Sequence, residues 1–138
     1  MKQLTLQAKK ENLNQVLAFI DEELKAADCP MKLVMKFDVC VEEIFVNVAS
    51  YAYARKPEPG EVTIDMEITG DPAVAKVTFT DSGIPYNPLE KEDPDVTLSA
   101  EERQIGGLGI YIVKKSMDDV LYEYKDGCNF FTMIKTLV

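Results

Sequence analysis

Histidine and tryptophan are both absent from this 138-residue chain. Cysteine is scarce as well: Cys29, Cys40 and Cys128 are odd in number and show no paired metal spacing. Without histidine to complete a ligand set, zinc binding is disfavoured, and the three are expected to be small reduced thiols. Long apolar runs are missing too. None approaches the roughly 20 residues that a helix needs to cross a bilayer, and Met1-Lys2-Gln3-Leu4-Thr5 lacks the apolar centre of a signal peptide. The expectation is a cytoplasmic protein. Basic residues are the minority, 15 against 24 acidic, for a net charge of −9. That balance argues against nucleic acid, whose binding rests on Lys and Arg neutralising phosphates, and against an acidic membrane surface. A protein partner with a basic patch stays compatible with it. With no repeats, low-complexity tracts or linkers, residues 1–138 are expected to form a single domain.

The apolar pattern is what the chain does have. Leu4, Leu6 and Ala8 alternate with polar residues, which predicts a strand over Lys2–Ala8. Leu13, Val16, Leu17, Ile20 and Leu24 recur at helical spacing, predicting a helix from Asn12 to Ala27. A second, long helix is predicted after Pro30, from about Met31 to Ala54, with an apolar stripe from Leu33 to Ala52. Glu61–Thr69 alternates as a strand, Gly70-Asp71-Pro72 reads as a turn, and a further strand carries Ala75, Val77 and Phe79 on its core face. A third helix follows Gly109, with Ile110, Ile112, Val113 and Met117 as its buried face. Strands over Asp119–Lys125 and Asn129–Leu137, joined by Lys125-Asp126-Gly127, form a hairpin. Residues 84 to 105 are irregular, hold Pro85, Pro88 and Pro94, and suit an active-site lid or a surface loop. Within them, 97–102 has the composition of one helical turn. The order β-α-α-β-β-lid-α-β-β predicts an α+β fold: a two-layer sandwich with helices on one face of a mostly antiparallel sheet.

Three polar clusters are placed on this frame. Glu43 and Asn47 lie four residues apart and so share a helix face; Asn47 is either a solvated amide or part of a site. Counting along its strand, Asp81 falls on the core face at the strand's end. An ionised carboxylate there needs donors, so it either caps the turn through Ser82 and Gly83 or meets a ligand. Gly106, Gly107 and Gly109 open onto a helix, whose first N–H groups and dipole suit a phosphate. Glycines there are also ordinary loop punctuation.

Taken together and in order, Glu43-x-x-x-Asn47, Asp81-x-Gly83-x-Pro85 and Gly106-Gly-x-Gly109 resemble the Bergerat-fold, or GHKL, ATPase superfamily. Within it the chain is most similar to the bacterial anti-sigma-factor serine/threonine kinases, from the first strand to the last. The resemblance implies ATP and Mg²⁺ as cofactors, with Asn47 holding the metal. It implies Glu43 as general base toward the hydroxyl being phosphorylated, and Asp81 as acceptor from the adenine amino group. Gly83 would let the backbone approach the base. Gly106, Gly107 and Gly109 would line the phosphates, Leu108 and Ile110 would donate backbone N–H groups to them, and Thr132 would sit near adenine. Arg103, with Lys114 behind it, is the candidate cation for the γ-phosphate. Pro85 stands where many superfamily members have glycine, although the anti-sigma-like branch often shows this proline.

The absence of histidine removes the phosphoacceptor domain of a sensor kinase, and the chain is too short for gyrase- or chaperone-type transducer domains. The leading expectation is therefore a kinase that sequesters a sigma factor and phosphorylates an anti-anti-sigma antagonist. The alternative is a nucleotide-gated protein-binding module without catalysis. The family's habit of dimerising carries over as an implication of the resemblance alone.

Overall fold

The structure is a computed structural model and describes residues 1–54, 58, 60–90 and 108–138. Five strands form one antiparallel sheet: β1 (Lys2–Gln7), β2 (Glu61–Thr69), β3 (Val74–Asp81), β4 (Asp119–Lys125) and β5 (Cys128–Thr136). Their order is β1-β2-β3-β5-β4, so the last strand lies between β3 and its own hairpin partner. Helices α1 (Leu13–Ala26), α2 (Met31–Asn47) and α3 (Leu108–Ser116) supply the second layer.

Alternation along the strands decides which face the helices cover. Val62, Ile64 and Met66 of β2, Ala75, Val77 and Phe79 of β3, and Phe131 and Met133 of β5 are buried with Val16, Phe37, Val41, Phe45 and Val113 in one apolar cluster. On the other face, polar pairs bridge neighbouring strands. Gln3 Nε2 donates to Asp65 Oδ1 at 2.7 Å, and the hydroxyls of Thr5 and Thr63 lie 2.9 Å apart. This is the α+β two-layer sandwich that the pattern predicts.

Local differences have physical causes. β1 ends at Gln7, and Ala8 is buried just beyond it, its N–H donating to Gly60 O at 2.9 Å. The long second helix does not run unbroken to Ala54: its α-helical part stops at Asn47 and a π-helical turn, Val48–Ala52, follows. Such widened turns cluster at functional sites. Ile112 does not join the buried face of α3 and is 37% exposed, because Ile110 and Val113 already span the stripe that meets the core. All three cysteines are free thiols, Cys29 and Cys40 buried and Cys128 half-buried. The helical turn expected over 97–102 lies outside the described residues.

Candidate functional site

A cleft of about 380 Å³, counting its open mouth, lies between α2 with its π turn and the ends of β3 and β5; Asn47, Tyr51, Asp81, Tyr86, Tyr122 and Asn129 are among the residues lining it. Asp81 is buried in its wall, only 6% exposed. Both donors it receives go to the same oxygen: Gly83 N–H to Oδ1 at 2.9 Å and Asn129 Nδ2 to Oδ1 at 2.9 Å. The turn-capping bond is thus real, and Oδ2 has no donor among the described residues. Burial pushes the Asp81 carboxyl above its usual range, while the Asn129 and Gly83 bonds pull it back down.

Gly83 is a position where only glycine fits. A Cβ there would fall 2.2 Å from the carbonyl oxygen of Ala52, and the Ile84 N–H donates to that same oxygen at 2.9 Å. The strand end is clamped against the π turn. Tyr53 reinforces the clamp, its hydroxyl donating to Glu61 O at 2.6 Å and accepting from Ser82 N–H at 2.9 Å.

At the other end of the cleft, Asn47 Nδ2 donates to Glu43 O at 2.7 Å and to Glu43 Oε1 at 3.2 Å. That leaves the Asn47 carbonyl oxygen without a donor among the described residues. Glu43 itself packs onto the first turn of α3. A Cβ on Gly109 would lie 1.9 Å from Glu43 Cδ, so the absence of a side chain at 109 makes room for this carboxylate. The first N–H groups of an α-helix have no intrahelical partner, and those of Leu108, Gly109 and Ile110 belong to that turn. The Ile110 side chain is buried in the core at 3% exposure. Of the sequence-predicted residues, Asn47 and Asp81 line the cleft; Glu43 accepts from Asn47, Gly109 meets Glu43 and Gly83 donates to Asp81, so all five connect to it.

Others do not. Thr132 pairs with Thr78 across β5 and β3, their hydroxyls 3.2 Å apart, and strand alternation puts both on the face opposite Asp81. The position beside Asp81 belongs to Asn129, its direct partner in the β3–β5 register. Pro85 is exposed, and Tyr86 and Pro88 line the cleft in its place. Arg103, Gly106 and Gly107, together with residues 91–105 of the expected lid, lie outside the described residues. The described part of that segment, Ile84–Glu90, ends in a short turn at Pro88–Glu90.

Asn129 is the residue that sequence reasoning missed. Its Oδ1 accepts from the Tyr122 hydroxyl and from Tyr86 N–H at 3.2 Å, and its Nδ2 also reaches Ile84 O at 2.8 Å. The signal was available: Asn129 is a polar residue in phase with Phe131 and Met133, the pattern that singles out Asp81. The rings of Tyr51 and Tyr86 lie 5.8 Å apart, tilted by 36°, beside the same cleft.

Comparison with known proteins identifies the family. A family model described as a histidine kinase-like ATPase domain matches residues 6–135. Serine/threonine-protein kinase BtrW of Bordetella bronchiseptica is 24% identical over 74% of the chain and 70% of its own length. Serine-protein kinase RsbW of Listeria monocytogenes is 30% identical over 64% of the chain, and the aligned segment spans 57% of that kinase. A crystal structure of the RsbU and RsbW domains of a Mycobacterium tuberculosis protein superposes on 99% of the chain and 33% of that protein, with a TM-score of 0.67 and 14% identity.

Proposed function

The chain belongs to the histidine kinase-like ATPase domain family, and from that premise we propose that it is an ATP-dependent protein serine/threonine kinase acting as an anti-sigma factor. In this reading it sequesters a sigma factor and transfers the γ-phosphoryl group of ATP to a Ser or Thr hydroxyl of an anti-anti-sigma antagonist.

One observation carries the reading. Glu43 sits with its carboxylate against the first turn of α3 and one helical turn from Asn47, whose Nδ2 bonds back to it. Phosphoryl transfer asks chiefly for positioning and charge neutralisation, with one group to take the hydroxyl proton. Glu43 would take that proton. The Leu108–Ile110 turn would present N–H groups to the phosphates, and Asp81 Oδ2 would receive the exocyclic amine of adenine. The donor set fits a hard cation as well: Mg²⁺ keeps most of its waters and binds few protein oxygens, and the Asn47 carbonyl oxygen is turned away from Glu43. When bound, the ion would neutralise phosphate charge.

The test is transfer of label from γ-labelled ATP to candidate antagonists drawn from the products of neighbouring genes. Glu43→Gln should lower transfer by about 100-fold or more while nucleotide affinity changes little. Equal transfer by wild type and Glu43→Gln would remove Glu43 from the role of base. Nucleotide-dependent partner binding with neither ADP nor phosphoprotein formed would favour a non-catalytic binding module.

A further inference from the structure

Tyr86 N–H is a backbone donor and Ile84 O a backbone acceptor, so neither can exchange roles. Asn129 bonds to both, through Oδ1 at 3.2 Å and Nδ2 at 2.8 Å. These two backbone groups fix the orientation of the amide without any assumption about hydrogens. The group that faces Asp81 is therefore the NH₂, and Asp81 Oδ1 must be an acceptor. Gly83 N–H imposes the same requirement on the same oxygen.

We propose that Asn129 sets which purine the Asp81 end of the cleft accepts. By occupying Oδ1 it leaves Oδ2 to accept from an exocyclic amine, so that an amino-purine nucleotide is taken and an oxo-purine refused. This rests on the nucleotide-binding reading above and adds a positioning residue that acts through Asp81.

The chemistry follows from the count of donors. With two fixed donors on Oδ1, a proton on Asp81 has only Oδ2 to occupy. The neutral acid then donates into the cleft, which suits a purine carbonyl; the carboxylate accepts from it, which suits a purine amine. Burial favours the neutral form, and the Asn129 bond is the larger of the two that oppose it. Among the described residues, Tyr53, after the π turn, and Tyr122, on β4, both feel the charge of Asp81. Both phenols are pushed above their usual range and remain neutral wherever a carboxyl titrates. Glu61 and Cys128 face Tyr53, and Glu90 and Tyr124 face Tyr122, rather than Asp81 itself. From α2 the cleft receives Ile44 and Asn47, neither charged, and Val62 stands opposite Asp81 on β2.

The experiment is the ratio of ATP to GTP affinity, measured by calorimetry with magnesium on the full chain between pH 5 and 8. Titration of the triphosphate is common to both nucleotides and cancels in the ratio. Wild type should prefer ATP at pH 8 and lose that preference as the pH falls. Asn129→Ala should move the loss to higher pH by about one unit. Asn129→Ser, which keeps a donor, should recover part of the shift. Tyr122→Phe leaves the amide on Asp81 and should keep the wild-type midpoint. A wild-type ratio that is flat across the range overturns the proposal without any variant. So does Asn129→Ala with a wild-type profile, or Tyr122→Phe moving as far as Asn129→Ala. Binding of ATP with any of these results leaves the kinase reading standing; binding of neither nucleotide by wild type refutes both.

Discussion

Asp38→Asn should stabilise the protein at pH 7.5 and leave it nearly unchanged at pH 4. Asp38 of α2 meets Asp21 of α1, and an Oδ1 of each is shielded from solvent with no donor among the described residues. Burial, then a hydrogen bond and the charge of Asp21, push the Asp38 carboxyl from 3.8 to about 7; Lys25 pulls weakly the other way. A carboxyl raised on folding binds its proton more tightly in the native state. Its contribution to stability is therefore full below about pH 4 and is lost as the pH rises through about 7. At 1.36 kcal/mol per pH unit, the full displacement corresponds to an upper bound of about 4 kcal/mol. Asp38 is only half-buried, and solvent screening reduces the expected gain on neutralisation to about 1–2 kcal/mol. For a chain of this length that is a rise in Tm of about 3–7 °C. Thermal unfolding of wild type and Asp38→Asn at pH 4, 5.5 and 7.5 reads the difference directly. A variant that gains as much at pH 4 as at pH 7.5, or gains at neither, would refute the reasoning.

Gly109→Ala should push the Glu43 carboxylate aside, because its methyl group would fall on the flexible end of that side chain, and should cost at most about 1 kcal/mol. Denaturant unfolding of the Gly109→Ala/Glu43→Ala double variant should recover most of that loss, whereas additive losses would contradict the contact. Tyr53→Phe removes the hydroxyl that joins Ser82 N–H to Glu61 O and should cost about 1–3 kcal/mol in the same assay. A loss under about 0.5 kcal/mol would mean that water replaces the hydroxyl without penalty.

Periodicity made much of the fold legible. β2 runs from Glu61 to Thr69 as its alternation predicts, β3 ends at Asp81 on the core face, and Asp126-Gly127 turns the β4–β5 hairpin. Helical spacing likewise puts Glu43 and Asn47 together. What periodicity does not carry is which strand lies beside which. Alternation within β5 already puts Asn129 on the core face and Thr132 on the other; that β5 lies beside β3, in a register that pairs Asp81 with Asn129, is what it does not give. That pairing is non-local and leaves no mark in either strand alone. The change from α- to π-helical geometry at Val48 is equally silent in the apolar stripe, since Val48 and Ala52 fit the stripe in either form. The π turn ends where the Gly83–Ile84 backbone closes on Ala52 O, a contact between segments far apart in sequence.

The insertion of β5 also has a consequence for the order of assembly. β3 leaves the ribosome well before β5, yet until β5 arrives its far edge is unpaired and Asp81 lacks the amide across from it. The nascent chain therefore exposes an apolar strand edge of the kind that invites wrong pairing. It cannot hold a ligand in the cleft during that interval. Closure of the sheet and completion of the pocket are one event, and a ligand selects only chains that have finished it.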